Sequence, residues 1–563
     1  MKLKFFLNKF CFFTTVLFLI FFATGCKQKK VTNTIVAEDD SQQIDTLPTY
    51  IIPTPDSIVI VQFINDNPDL KDLSKDLEEF YSKRHYHCAW FNEYGLTEQT
   101  GKVVNLIRDY IQAGMVDTTI FIPGVVELYD TITSETFSPK GNDSLVLQAD
   151  LFFTSQFIRF ADDAWKGLKA EKIKQLDWFL PVNKPSQIDY LSMLLSPETK
   201  KVEGTEPVFG QFLRLKEKVK LYADIEKNGG WDSIPQSTTS LKTGDTSEVI
   251  IALRKRLFLT GDFTGNTSTN IFDSSFVETI LAMRECYGLS NDTIIDSRLI
   301  RELNIPVALR LRKMMINIER WKWVPADPGA NFIAVNIPEY MMHVFENGKV
   351  IKDMKVIVGK TANQTVVFSG DLKYVVLSPY WVIPRSIIVK ETLPALKRNP
   401  GYLSRHNMEV VTNTNPPKVV PPSQINYSNY SGSNFPYVIR QKPGPSNSLG
   451  YVKFLFPNSF SIYLHDTPSR NLFEENTRSF SHGCIRIAEP LWLADYLLRN
   501  DTVWNEESIK TAMHSGKEKY VTLKETIPVY ITYFTSWVDK NGRLNFRKDI
   551  YGHDQKLEKE LFQ

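Results

Sequence analysis

Cysteine is scarce in this chain, and zinc-type motifs are missing. Five cysteines stand among 563 residues, none spaced as CxxC, and no histidine opens an HExxH run. A zinc module is therefore not expected, and neither is any other metal site. Cys88, Cys286 and Cys484 lie far apart and are odd in number, unlike a disulfide framework. A Cys88–Cys286 pair has no support in the sequence. Charge of one sign is also lacking. Lys and Arg number 66 against 64 Asp and Glu, a net charge of +2, which argues against a nucleic-acid partner. What is present in quantity is apolar and aromatic residues, 42% and 12%, enough for several packed cores in a chain too long for one.

The N-terminus reads as an address. Lys2, Lys4 and Lys9 make a basic start, residues 11–23 are almost wholly apolar, and Ala23-Thr24-Gly25-Cys26 follows. The apolar run has the length of a signal-peptide core and is short for a bilayer span. The tetrad resembles a bacterial lipobox, with Ala23 where Leu is usual. Cleavage there would leave Cys26 as an acylated N-terminus, and acyl chains partition at about 0.8 kcal/mol per buried methylene. We expect residues 1–26 to be a lipoprotein signal, residues 27–48 a polar tether, and the protein to be periplasmic, lipid-anchored to one of the two membranes. Lys27-Gln28-Lys29-Lys30 lacks the acidic run associated with surface export. The alternative is a secretory signal followed by a chance cysteine.

Periodicity divides the remainder. Residues 49–240 read as a helical scaffold: Val103, Leu106, Ile107, Tyr110 and Ile111 form one helical face, and residues 145–161 read as a buried helix. His85-Tyr86-His87-Cys88 holds three potential ligands, but no second ligand cluster lies nearby and Trp90 and Phe91 continue the run as packing. Residues 245–305 form a small three-helix unit, with stripes at Ile250, Leu253, Leu257 and at Phe276, Ile280, Met283, then a short segment at 297–303. Cys286 reads as core there. A connecting helix spans 306–329, stopped by Pro325 and Pro328. From 330 to 540 short β-branched runs take over, with Asn347-Gly348 as a hairpin turn. Within them, residues 383–441 begin helical and turn Pro- and Asn-rich, the composition of an inserted lid. Residues 541–563 are read as a tail. The fold class expected is multi-domain α+β.

Chemistry concentrates in Tyr463-Leu464-His465-Asp466-Thr467-Pro468 and Ser479-Phe480-Ser481-His482-Gly483-Cys484-Ile485-Arg486. A thiol becomes a strong nucleophile once deprotonated, and an imidazole can take its proton. His465 ends an apolar run that can fix its position. Cys484 follows a glycine in a tight turn, where the amides of Gly483 and Cys484 could donate to a developing oxyanion. A buried core cysteine and a satisfied histidine are the bland reading. A zinc site from His465, His482 and Cys484 matches no common spacing. In papain-like enzymes the cysteine precedes the histidine; here the order is reversed.

These strings resemble the L,D-transpeptidase family with its YkuD-type catalytic domain. Pro379-Tyr380-Trp381-Val382-Ile383-Pro384, Arg440-Gln441-Lys442-Pro443-Gly444-Pro445, Leu449-Gly450 and Lys453-Phe454 are similar to its large, multi-domain YcbB-like branch. Thr365-Val366 departs from the family's frequent Thr-Pro, a change expected to affect a turn. The resemblance implies Cys484 as nucleophile and His465 as general base, with the Asp466 carbonyl orienting the imidazole. His482 and Gly483 would shape the oxyanion site. Arg486, Tyr463, Trp381 and Ser481 would bind substrate; the alternatives are a structural salt bridge for Arg486 and core packing for Tyr463 and Trp381. The order of stripes and glycines over 245–305 resembles a peptidoglycan-binding module, a spacer being the alternative. The reaction implied is acyl transfer from a tetrapeptide stem to an amine of a second stem, a 3→3 cross-link in peptidoglycan, with no cofactor and with acylation by carbapenems. Hydrolysis or D-amino-acid exchange, attachment of a protein to the wall, and a non-catalytic wall-binding scaffold are the rivals.

Overall fold

The computed structural model describes residues 50–562 apart from 182–185, 203, 237–238, 400 and 432–433. The expected signal, Cys26 and the tether lie outside the described residues. Among the described residues no helix is long and apolar enough to cross a membrane.

Helices dominate up to Trp321. In Asp143–Ala161 every residue from Ala149 to Ala161 except Arg159 is buried, so this stretch is enclosed on all sides, as in a central helix. Asp150 sits inside it and is fully buried; its carboxylate accepts from the Ala89 and Trp90 amides and the Tyr81 hydroxyl. That network ties down the chain just after His85-Tyr86-His87-Cys88. Cys88 Sγ meets the Pro53 carbonyl at 3.2 Å, and no group of three or more metal-ligating side chains occurs among the described residues.

Helices Glu248–Leu259, Ser274–Cys286 and Ser297–Leu303 enclose a core of their own, which includes Ile250, Phe272, Phe276, Ile280 and Leu299. Cys286 is buried within it. The helical region before residue 230 shares one continuous core with the β-rich region instead. The strand Trp178–Phe179 pairs in parallel with Val367 and Phe368, and Trp321 stacks on Phe534 with ring centroids 3.5 Å apart.

Eight strands close on themselves in the order Val452–Leu455, Leu464–His465, Ile485–Ile487, Lys349–Gly359, Met341–Glu346, Phe332–Asn336, Lys519–Thr532, Val367–Leu377 and back to the first. Closure leaves few edges open to another chain. Asn347 and Gly348 both take positive φ, 49° and 72°, the pairing that a two-residue hairpin turn of the primed type requires. Outside the ring a separate sheet carries Trp381–Val382, Met408–Val411, Val419–Val420 and Val438–Gln441, with a core of Ile383, Ile388, Leu393, Leu396 and Ile439. Its outgoing and returning chains are fastened at the root by the buried Asn447, whose amide donates to the carbonyls of Pro379 and Lys442 at 3.0 and 2.9 Å.

The C-terminus differs from the expected tail. Leu544–Phe546 pairs with Ser536–Val538, and the helix His553–Phe562 packs on Val307–Trp321. Asp554 meets Arg320 at 2.6 Å in a buried ion pair, and Leu557 is buried. A short amphipathic helix at a chain end looks like a tail until its partner helix, more than two hundred residues upstream, is placed against it.

Candidate active site

Three neighbouring strands assemble the site. His465 pairs with Lys453 on one side and with Arg486 on the other, so these side chains share one face of the sheet. His465 is 5% exposed. Its Nδ1 lies 2.5 Å from the Asp466 carbonyl. A carbonyl only accepts, so the proton is on Nδ1 and the lone pair on Nε2. Burial first, and then the Arg486 guanidinium, push the imidazole down to about 3, which keeps it neutral at physiological pH. Asp466 is itself fixed. Its carboxylate accepts from the Tyr451 amide at 2.9 Å and pairs with Arg470 at 3.1 Å.

Cys484 sits on a turn in which the two amides flanking its own, those of Gly483 and Ile485, are committed. Gly483 holds φ at +117°, a conformation open essentially to glycine alone. Its N–H donates to Ser481 Oγ at 3.1 Å, the Ser481 hydroxyl donates to the Cys484 carbonyl at 2.5 Å, and the Ile485 N–H donates to the Tyr463 carbonyl at 3.1 Å. The Gly483 amide is therefore not free to hold an oxyanion, which corrects the sequence reading; Ser481 takes it because the turn places that hydroxyl two residues away. The Cys484 N–H has no acceptor among the described residues. Burial pushes the thiol up; contacts from Tyr463 and the Arg486 guanidinium pull it back. Sγ lies 3.7 Å from the Ser461 carbonyl, and no hydrogen bond joins it to His465 among the described residues.

Residues 330–504 match the family model of the L,D-transpeptidase catalytic domain, YkuD, and residues 75–219 match that of a scaffold domain. The chain carries a YkuD-type L,D-transpeptidase catalytic domain. A Haemophilus influenzae protein provisionally named an L,D-transpeptidase is 35% identical over 246 residues, 44% of this chain and 49% of that protein. The chain thus spans about half the length of the curated relative it matches. The pairing of scaffold and catalytic domains is consistent with the YcbB-like branch. Two solved structures are similar at low level: an L,D-transpeptidase fragment from Xylanimonas cellulosilytica (11% identity, 53% of this chain and all of that one, TM-score 0.18) and L,D-transpeptidase 1 of Mycobacterium tuberculosis (14%, 36% and 61%, TM-score 0.15). Likenesses of that size carry no weight here.

The transpeptidase domain places the other candidate residues unevenly. Tyr463 lies by the site, its ring 5.8 Å from the His465 ring. Arg486 has no carboxylate partner among the described residues, and its Nε is buried without a hydrogen bond, so the salt-bridge alternative fails. Burial lowers the guanidinium below its usual range. His482 is exposed, with Nε2 3.5 Å from Glu391 of the inserted segment. Trp381 pairs with Gln441 inside the inserted sheet and packs on that sheet's core, so the insertion begins two residues earlier than its composition indicates. Sequence reading missed Thr365, whose hydroxyl donates to the Gly483 carbonyl at 2.8 Å, and Tyr551, whose hydroxyl accepts from the Thr365 amide at 3.3 Å. Periodicity carries no signal for either, since both act across long sequence separations.

Proposed function

We propose that this chain is a peptidoglycan L,D-transpeptidase in which Cys484 is the nucleophile and His465 the general base. The observation that supports it most is the pairing of a neutral, strand-held imidazole, lone pair on Nε2, with a half-buried thiol on a Gly-constrained turn. Burial holds each group neutral when alone; ionised together, thiolate and imidazolium recover by mutual attraction part of what each loses in hydration. The absence of a direct bond between them suits a resting site, where such contacts tighten only with substrate.

The steps balance as follows. The Cys484 proton passes to His465 Nε2 and the sulfur attacks the carbonyl carbon of the third stem residue. The carbonyl oxygen gains the negative charge, facing the free Cys484 N–H. As the intermediate collapses, the bond to D-alanine breaks and the imidazolium protonates the leaving amine. An amine of a second stem then attacks the thioester, gives its proton to His465, and expels Cys484, forming a 3→3 cross-link. Arg486, unpaired beside the thiol, is the group for a stem carboxylate. The three-helix unit would hold wall polymer, and Cys26 would carry the lipid that keeps the enzyme at a membrane in the periplasm.

Intact mass after incubation with a carbapenem tests the reading. One covalent adduct on wild type and none on Cys484→Ser is expected, followed by 3→3 dimers from purified muropeptides. A folded wild type that takes no adduct refutes it, and release of tetrapeptide hydrolysis products without dimers replaces cross-linking by carboxypeptidase activity.

A further inference from the structure

We propose that Thr365 is a positioning residue that aims the Cys484 N–H at the developing oxyanion, and that Tyr551, from outside the catalytic-domain match, holds Thr365 in place. The inference rests on Cys484 acting as nucleophile. The peptide unit joining Gly483 to Cys484 is planar and trans, so its C=O and N–H point in opposite directions. Fixing one end of that plane fixes the other. The Gly483 carbonyl is held by the Thr365 hydroxyl at 2.8 Å. The same hydroxyl accepts from the Gly359 N–H at 2.9 Å, so its single proton is committed to Gly483. The N–H at the far end of the plane belongs to Cys484 and has no acceptor among the described residues. With the Gly483 N–H taken by Ser481, this amide is the donor that remains at the nucleophile.

Thr365 is held in turn. It is 1% exposed, and its own N–H donates to the Tyr551 hydroxyl at 3.3 Å, while that hydroxyl donates to the Gly359 carbonyl. The Tyr551 N–H donates to the Tyr533 hydroxyl at 2.9 Å, and Tyr533 donates to Asp549 at 2.7 Å. Asp549 also accepts from the Asp554 amide at 2.9 Å, at the start of the helix whose Asp554 carboxylate pairs with Arg320. Gly359 tolerates no substitution here: a Cβ would stand 2.1 Å from the Asn363 carbonyl. A chain of hydrogen bonds, buried at the turn and part-buried at Asp549, thus runs from the nucleophile turn to the C-terminal helix.

The test compares two reactions of Cys484 in the full chain. Carbapenem acylation passes through an oxyanion; alkylation by iodoacetamide does not. Losing one oxyanion donor costs about 10²–10³-fold in other enzymes, and misaiming it less, so Thr365→Val should lower acylation by roughly 10–100-fold with alkylation within about threefold of wild type. Thr365→Ser, which keeps the hydroxyl, should restore acylation to within about threefold, and Tyr551→Phe should show a smaller loss of the same selective kind. Unchanged acylation in Thr365→Val overturns the proposal. So does a parallel fall in both reactions for Thr365→Val and Tyr551→Phe, which marks a purely structural role. A wild type that is not acylated, or a Cys484→Ser variant that is, refutes the nucleophile assignment instead.

Discussion

Replacing Gly450 by alanine probes how tightly the base is held. Gly450 is buried with φ +60°, and an added Cβ would stand 2.2 Å from Asp466 Oδ2 and 2.6 Å from its Cβ. Two costs combine. The left-handed backbone costs an alanine about 1–2 kcal/mol. The overlap drives the Asp466 carboxylate from its hydrogen bonds with the Tyr451 amide and Arg470, leaving a buried acceptor and donor unsatisfied at about 1–3 kcal/mol. Gly516→Ala isolates the first cost, since Gly516 has φ +69° and nothing within 4 Å of an added Cβ. In a body of a couple of hundred residues about 1 kcal/mol shifts the melting temperature by about 2–4 °C. Gly450→Ala should therefore melt roughly 2–12 °C below Gly516→Ala. Because the Asp466 carbonyl holds His465 Nδ1, carbapenem acylation should also fall, by roughly 10²-fold if the base is lost from its position, in Gly450→Ala alone. Melting curves and intact-mass time courses on both variants decide it. Coincident melting, or acylation of Gly450→Ala at the wild-type rate, refutes the reasoning.

Two further outcomes are expected. Burial works against a charge on His343, but Glu339 and Asp353, at 3.2 and 2.7 Å, outweigh it and raise the imidazole to about 10. Its stabilising contribution is complete below the unfolded value of about 6.5 and is lost as pH rises through 10, so stability measured by denaturation should decline from pH 7 to 10 in wild type and less in His343→Gln; equal slopes would sink the idea. The Arg486 guanidinium lowers the Cys484 thiol, so Arg486→Gln should move the pH midpoint of Cys484 alkylation upward, and an unmoved midpoint would show that the cation does not sense the thiolate.

How much of this was legible beforehand follows the range of each interaction. The β-rich character after residue 330 and the hairpin at Asn347-Gly348 are written in local periodicity and turn chemistry, because strand alternation and positive φ are properties of a few adjacent residues. The helix ending before Pro325 is local in the same sense. The Ser-His-Gly-Cys string is local as well, and its glycine does take the φ of +117° that so tight a turn before a nucleophile needs. Trp381, for which the resemblance implies a groove role and core packing is the alternative, carries no local sign of the sheet it joins, since its partner Gln441 is sixty positions away. The C-terminal helix was read as a tail because its partner is distant.

By itself, then, the sequence marked the strings around His465 and Cys484 as the candidates for chemistry and roughly which segments are helix or strand, since those depend on residue type and short spacing. Only the tertiary structure decided that the Gly483 amide is taken by Ser481, that Arg486 has no carboxylate partner among the described residues, and that the Thr365 hydroxyl, 118 positions from Gly483, donates to its carbonyl. Those facts depend on the closing of an eight-strand ring. Hydrogen-bond geometry at a buried turn is set by whatever groups that closure brings within about 3 Å, and nothing in the local sequence encodes which groups they are.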